Sequence, residues 1–553
     1  MKTDEAPLTF LRENYPAKNA VDDPGLAAAE ELLAAWSLGH TALALTPERR
    51  EALAKSALVW TEGFEPRPLV LHGDLLQSWR LFQSEKAVAA LLKAMTGDAR
   101  GGKWPAKTQG LFEKLFSDPK DPQALAARSG VERRFTLITG GPGTGKTYTA
   151  ALILALLLFE NPELRIAIAA PTGKAAARLG ESILKSAATL PEEARGAAPL
   201  LEKVAKTPAT LHRLLGWNPG KGELGRHRAR PLACDVLVVD EVSMIDGNLW
   251  LATLDALPAG ARLIALGDPG QLESVAPGRV LGSLIEASAA GSPLSPCLVE
   301  LVKNHRFADG SAIADAAAAV RRNDAASLLA LCASSRPDFA QGEVEALEPL
   351  LADRLPALRA LAEAGDPAAA LDALGRFRIL CAVNRGPWGV EGLNRRVQKR
   401  LARECNGPFA KPILVTVNDP ASGLFNGDLG VLLPAKGGAA PQAVFGSVDE
   451  PRLFAEARLP EHEDAWAMTV HRAQGSEYDE VFLVLPKVDA LEEGGEEGNV
   501  ARLLIPELLY TAITRAKKKV TLVADEGVLK KACDARPPRV TGLGRWIRES
   551  RPS

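Results

Sequence analysis

The six cysteines of this 553-residue chain (Cys234, Cys297, Cys332, Cys381, Cys405 and Cys533) are scattered, and no two form a CxxC pair. That excludes a cysteine-held zinc or iron–sulfur site and a disulfide framework, and fits a reducing compartment. An excess of charge of either sign is also absent. The net charge is −2, so any nucleic-acid contact must be made through a local groove. Long apolar runs are missing too. The longest, Ala150 to Phe159, is too short to span a bilayer and reads as a buried helix. Met1-Lys2-Thr3-Asp4-Glu5 has no apolar signal-peptide core, so a cytoplasmic location is expected. No repeat of fixed period is present. With 46% hydrophobic and 24% charged residues, the remaining class is an ordinary soluble globular protein, long enough for roughly three or four domains.

Against that background one segment stands out. Gly140-Gly141-Pro142-Gly143-Thr144-Gly145-Lys146-Thr147 matches G-x-x-x-x-G-K-[ST], the loop that cradles the phosphates of nucleoside triphosphates. Phe135-Thr136-Leu137-Ile138-Thr139 reads as a buried strand running into it, and Lys146 to Phe159 as the helix leaving it. Glycines let backbone N–H groups converge on phosphate oxygens. Lys146 is placed to reach the β- and γ-phosphates, and the Thr147 hydroxyl to ligate Mg²⁺. The helix N-terminus adds partial positive charge.

The surrounding pattern is that of a parallel α/β sheet, with strand candidates Phe135–Thr139, Arg165–Ala169, Val236–Val239 and Arg262–Leu266. Asp118-Pro119-Lys120-Asp121-Pro122 marks a boundary before them. A helical, Ala/Leu-rich stretch covers 311–375, and a second α/β pattern begins at Phe377. A β-rich stretch, 412–454, interrupts that pattern, with Asn426-Gly427-Asp428 as a turn. An acidic segment near Glu492 reads as a mobile surface loop.

Several loops at strand ends carry chemistry. Val236-Leu237-Val238-Val239 ends in Asp240 and Glu241, suited to holding Mg²⁺ and to polarising the attacking water, respectively. Gln271, in Gly267-Asp268-Pro269-Gly270-Gln271-Leu272, is either a sensor of the γ-phosphate and the water or the surface amide of a Gly/Pro turn. Arg306 and Arg515 are candidates for neutralising charge on the transferring phosphoryl group. His471-Arg472-Ala473-Gln474-Gly475-Ser476-Glu477 suggests a loop contacting DNA backbone or phosphate; for His471 alone a structural histidine is the competing reading.

These segments also occur in a characteristic order. The phosphate loop, Pro171-Thr172-Gly173-Lys174, Asp240-Glu241, Gly267 to Leu272, Asn304-His305-Arg306, Thr469 to Glu477 and Tyr510-Thr511-Ala512-Ile513-Thr514-Arg515 resemble the motifs of a superfamily 1 helicase. Their wording resembles the RecD family, the alpha subunits of RecBCD-type helicase–nucleases (exodeoxyribonuclease V), over about residues 120–545. The resemblance implies an ATP-driven 5′→3′ DNA motor of the 1B branch, with ATP and Mg²⁺, acting in double-strand-break repair by homologous recombination and in DNA degradation. It implies single-stranded and duplex-end DNA as substrates and RecB-like and RecC-like subunits as partners. The implied fold is α/β, with two RecA-like P-loop domains, a mainly helical N-terminal domain and a small SH3-like β insertion. The expected boundaries are 1–120 for a partner-docking domain, 121–335 for the first motor domain, 336–411 and 455–553 for the second, and 412–454 for the insertion.

By the same resemblance Gln123 reads adenine, and Gly475 and Glu477 join the phosphate loop in holding nucleotide. Pro171, Thr172, Lys174, Thr210, His212, Asn384, Thr469, His471 and Gln474 line the DNA path. Asn394 belongs to a family signature, and 216–231, with Lys221, Arg226, Arg228 and Arg230, sits where the family has a strand-separating pin. Arg472 departs from the usual lysine, keeping charge but not geometry. Two other readings stay open: a stand-alone RecD-like helicase, and a nucleotide-gated scaffold with little motor output. No nuclease constellation is apparent in the sequence.

Overall fold

The computed structural model describes residues 23–549 except 62–65, 98–103, 219, 290, 308–309, 335, 344–345, 365, 406, 420, 436–439, 488–502 and 535–537. The acidic segment near Glu492 lies outside the described residues.

Two parallel sheets organise the chain. The first contains β1 (Phe135–Gly140), β2 (Ile166–Ala170), β3 (Ala209–Thr210), β4 (Val236–Val239), β5 (Arg262–Gly267) and β6 (Leu298–Leu301), in the order β6-β1-β5-β4-β2-β3. Every pairing is parallel. The strands are near-continuous apolar runs because helices cover both faces. On one side lies α1 (Lys146–Glu160), buried from Thr149 to Leu158, which accounts for the apolar run noted in the sequence. On the other side the helix Trp79–Thr96 packs Val88 and Leu92 against Phe135, Leu137 and Leu237. β3 and β6 were not anticipated; they are short edge strands with little sequence signature.

The second sheet contains β7 (Phe339–Gly342), β8 (Phe377–Cys381), β9 (Ala467–Thr469), β10 (Tyr478–Val484) and β11 (Ala516–Val523), again all parallel, in the order β7-β11-β10-β8-β9. Between β8 and β9 the chain leaves the sheet to form a five-stranded antiparallel sheet running from Lys411–Val415 to His462–Asp464. It has a small core of its own around Ile413, Val415, Ala443 and Phe445. Its Asn426-Gly427-Asp428 turn is closed by the Asp428 carboxylate, which accepts from Phe425 N at 2.8 Å.

Packing divides the chain differently from the expected boundaries. The helices Ala312–Arg321 and Ala325–Ala333 bury Ile313, Ala316, Val320 and Leu328 in the core of the second sheet, not the first. The helix Leu543–Arg548 returns to the first sheet, where Leu543 and Ile547 join Val88, Leu92 and Leu284. The antiparallel sheet extends past 454 because His462–Asp464 pairs with Ile413–Val415. These assignments depend on which apolar face meets which, and composition along the chain does not reveal that.

The N-terminal region adds a four-stranded sheet, Ala42–Ala44, Leu75–Ser78, Leu69–His72 and Val59–Trp60 in spatial order, to the helices expected there. It is tied to the C-terminal segment through Glu85, which accepts from Thr41 Oγ1 (2.6 Å), Gln77 Nε2 (2.8 Å) and Gly542 N (2.9 Å). Burial nevertheless outweighs these donors and raises the pKa of Glu85. A carboxyl whose folded pKa lies above its unfolded value contributes stability below the unfolded pKa, and that contribution is lost as pH rises through the folded one. Glu85→Gln is therefore expected to raise Tm relative to the parent more at pH 8 than at pH 5. Thermal melts at the two pH values check this; an equal difference at both would show that Glu85 is not protonated in the fold.

Candidate active site

The loop between β1 and α1 has a backbone that requires glycine. Gly143 and Gly145 have φ of 77° and 87°. A Cβ on Gly143 would stand 2.4 Å from Arg306 Cβ, and one on Gly145 2.9 Å from Gln123 Nε2. The loop therefore has neighbours on two sides, Arg306 on one and Gln123 on the other. Gly145 is also the N-cap of α1, so the helix begins directly on the loop. Lys146 Nζ donates to Gly140 O (2.7 Å) and Gly141 O (3.0 Å), and Thr144 Oγ1 to Gly141 O (2.8 Å). Asn304 fastens the following motif to the loop: its Nδ2 donates to Pro142 O (2.9 Å), its Oδ1 accepts from Arg306 N (2.7 Å), and His305 N donates to Gly143 O (2.8 Å).

β4 runs parallel to β2 and β5, so its carboxyl end delivers Asp240 and Glu241 beside the loops that follow those strands. Burial and the neighbouring Glu241 raise the Asp240 carboxyl to about 6, against the opposing pull of Lys146. Glu241 is one of two non-glycine residues with positive φ among those described, at 53°. Its N–H donates to Asp240 Oδ1 (2.8 Å). Held left-handed conformations of this kind cluster at functional sites.

Gln271 follows β5. With its amide oriented to satisfy both neighbours, its nitrogen donates to Glu241 Oε2 and its oxygen accepts from Arg515 Nη2, each at 3.3 Å. The side chain is buried, so it is not the surface amide of a turn. Arg515 comes from the other sheet. It is buried, and its Nε and Nη1 donate to Thr511 O and Ser476 O at 3.2 Å. The site thus lies at the junction of the two parallel sheets.

Direct bonds hold that junction. Within α3 (Pro506–Ile513), Tyr510 Oη donates to Asp268 Oδ2 (3.0 Å), and Thr511 Oγ1 accepts from Leu272 N (2.9 Å). Gln474 Nε2 donates to Leu272 O (3.2 Å). Gly475, at φ 71°, passes so near the helix α2 (Gly173–Ala188) that a Cβ would stand 3.2 Å from Ala175 Cβ. Glu477 is ion-paired with Arg306 and with Arg178 of α2. The sequence reading missed Arg178, Asp268 and Tyr510 as site residues. For Arg178 the one available signal was its position four residues after Lys174 on a helix, a spacing too common to single it out.

The residues proposed for DNA fall into two groups. Thr172 caps α2, accepting from Ala175 N (3.2 Å), and Thr210 caps the short helix Leu211–Leu214, accepting from Arg213 N (3.2 Å). Pro171 stands beside the first cap and is partly buried. His212 and Asn384 are exposed. The Lys174 ammonium turns inward, 5.8 Å from the Tyr478 ring centroid, and burial lowers its pKa. Thr469 is buried and accepts from Arg472 N (3.3 Å), and burial lowers the pKa of His471. Asn394 pins the insertion to β9, exchanging bonds with Asp464 O and with Ala467. Where a pin is expected, Trp217–Asn218 and Glu223–Leu224 form an antiparallel hairpin with Trp217 exposed.

A P-loop at one sheet with an acidic pair and Arg306 beside it, and Arg515 delivered from across the junction, define an ATP-dependent helicase motor. The comparisons with known proteins agree. Residues 123–277 match the AAA domain family, and 464–523 the UvrD-like helicase C-terminal domain. The chain is 38% identical to the RecBCD enzyme subunit RecD of Mycolicibacterium smegmatis over 90% of this chain and 86% of that one. It is 32% identical to the Haemophilus influenzae protein of the same name, over 79% and 74%. It is 30% identical to the ATP-dependent RecD2 DNA helicase of Deinococcus radiodurans, over 79% of this chain and 54% of that longer one. The chain belongs to the RecD family.

Proposed function

We propose that this chain is the ATP-driven 5′→3′ DNA-translocating subunit of a RecBCD-type helicase–nuclease, with RecB-like and RecC-like partners and a role in double-strand-break repair. The observation that carries this reading is the chain of contacts from Glu241 through Gln271 to Arg515, which connects an acidic strand end on one sheet with an arginine on the other. A site built across two sheets couples its chemistry to their relative motion.

The roles follow from placement. The backbone of 140–145 and Lys146 bind the phosphates of ATP, and Gln123, against Gly145, faces the base. Thr147 and Asp240 would hold Mg²⁺, which when bound would supply charge neutralisation to the phosphates. Glu241 orients and polarises the attacking water, and Gln271 connects it to Arg515. Arg306 and Arg515 stabilise the charge on the transferring phosphoryl group. When the cleft opens after hydrolysis, the bonds from Tyr510, Thr511 and Gln474 to the Asp268–Leu272 loop move with it, so that loop reports nucleotide state to the second sheet. Single-stranded DNA is gripped through exposed groups such as His212 and Asn384, its bases stacking on aromatics. The exposed Trp217 hairpin is the element that parts the strands, and the N-terminal domain docks the partner subunits. No helix among the described residues is long and apolar enough to cross a membrane.

Unwinding of 5′-tailed and 3′-tailed duplexes by the purified chain, alone and co-expressed with its partner subunits, tests the reading. The expected result is DNA-stimulated ATP hydrolysis, unwinding of the 5′-tailed duplex, and stable co-purification. Preference for a 3′ tail would overturn the polarity. Full unwinding with no co-purification would favour a stand-alone helicase.

A further inference from the structure

Glu477, at the entry to β10, accepts on one oxygen, Oε1, from Nη2 of two different arginines. Arg178 reaches it from α2, on the first sheet, and Arg306 from the segment after β6. The carboxylate is only 12% exposed. Burial pushes the Arg178 and Arg306 guanidiniums down to about 10, still charged at neutral pH, and Arg515 acts in the same direction on each, so the three cations crowd one volume. Asp240 and Glu241 pull Arg178 the other way, which places it within electrostatic reach of the acidic strand end. Arg306 Nη1 is buried and has no hydrogen-bond partner among the described residues. Its guanidinium is therefore only half used by Glu477.

We infer that Glu477 is a built-in competitor of the γ-phosphate for Arg306, and that Arg178 is the anchor that keeps Glu477 when Arg306 changes partner. The inference rests on the reading above in which Arg306 reaches the γ-phosphate. A carboxylate and a phosphoryl oxygen offer an arginine the same charge-assisted acceptor. Exchanging one for the other avoids leaving a buried guanidinium uncompensated, which is far costlier than keeping it paired. Because Arg178 shares the Oε1 atom, Glu477 can release Arg306 without itself losing a counter-ion. Only a nucleotide with a γ-phosphate can complete the exchange, so the device discriminates ATP from ADP. This differs from a direct nucleotide contact by Glu477, which would serve both nucleotides alike.

Equilibrium binding of a non-hydrolysable ATP analogue and of ADP to the full chain tests this, with Glu477→Gln, Glu477→Asp, Arg178→Gln and the Glu477→Gln/Arg178→Gln double variant. Removing the competitor in Glu477→Gln is expected to lower Kd for the analogue about tenfold, the scale of one charged hydrogen bond, and to leave ADP unchanged. Glu477→Asp keeps the charge that balances the arginines and should fold even where Gln does not. Being one methylene shorter, it should fall between the parent and Gln. Arg178→Gln should weaken the analogue and spare ADP, and the double variant should behave as Glu477→Gln. Equal weakening of both nucleotides by Glu477→Gln or Glu477→Asp would overturn the inference and make Glu477 a nucleotide ligand. Unchanged analogue binding in Glu477→Gln would also overturn it. Failure of the parent chain to bind either nucleotide would instead overturn the assignment of the site.

Discussion

Lys146→Gln is expected to abolish ATP-driven unwinding and to lower DNA-stimulated ATP turnover by at least ~10²–10³-fold, while leaving the fold intact. The fold is spared because Lys146 stands at the first position of α1 and is not part of its buried stripe. Its present partners are the carbonyls of Gly140 and Gly141, which the amide of glutamine can also serve. What the amide cannot supply is a full positive charge inside the phosphate loop. That charge matters most as negative charge builds on the transferring phosphoryl group, so kcat falls more than binding does. Steady-state hydrolysis with and without single-stranded DNA, beside a thermal melt, measures both. Parent-level turnover in a folded Lys146→Gln variant would remove the phosphate loop from the mechanism.

Glu241→Gln should separate binding from chemistry. The variant is expected to bind ATP with an affinity near the parent's and to hydrolyse it ~10²–10⁴-fold more slowly, the range set by loss of a positioned general base. The geometry supports the separation. Glu241 sits at φ 53°, a conformation that costs free energy in any non-glycine residue and persists because its N–H bonds to Asp240 and its carboxylate meets the Gln271 amide. Glutamine keeps the side-chain length and can still meet that amide through its oxygen, so the local backbone is preserved. Asp240, which is assigned to the metal, is untouched. Nucleotide binding by fluorescence together with single-turnover hydrolysis reads the two quantities independently. A variant that loses ATP binding would assign Glu241 a structural role.

Much of the candidate site was legible in the sequence because each of its parts is local. A glycine-rich loop between a buried strand and a helix, or two carboxylates ending an apolar strand, need only neighbours along the chain to be recognised. The same holds for the strands themselves: β4 begins and ends where its four apolar residues do, and β1 and β5 differ from the reading by a single residue. Short edge strands escaped notice because two residues, as in Ala209–Thr210, carry no period.

Which residues are proposed for triphosphate chemistry, and that parallel sheets carry them, was therefore read from the sequence alone. Local backbone chemistry and apolar burial on both faces of a strand are properties of short segments. The tertiary structure decided which distant segments share a core and which cations share an anion. The helices of 312–333 joined the second sheet and the helix Leu543–Arg548 the first, because apolar faces far apart in the chain fit one another. Arg178 entered the site, and the Lys174 ammonium turned inward, because α2 packs where Glu477 and Tyr478 arrive from the other sheet. Electrostatic partnership falls off with distance in space and takes no account of distance along the chain, so no local pattern could have announced it.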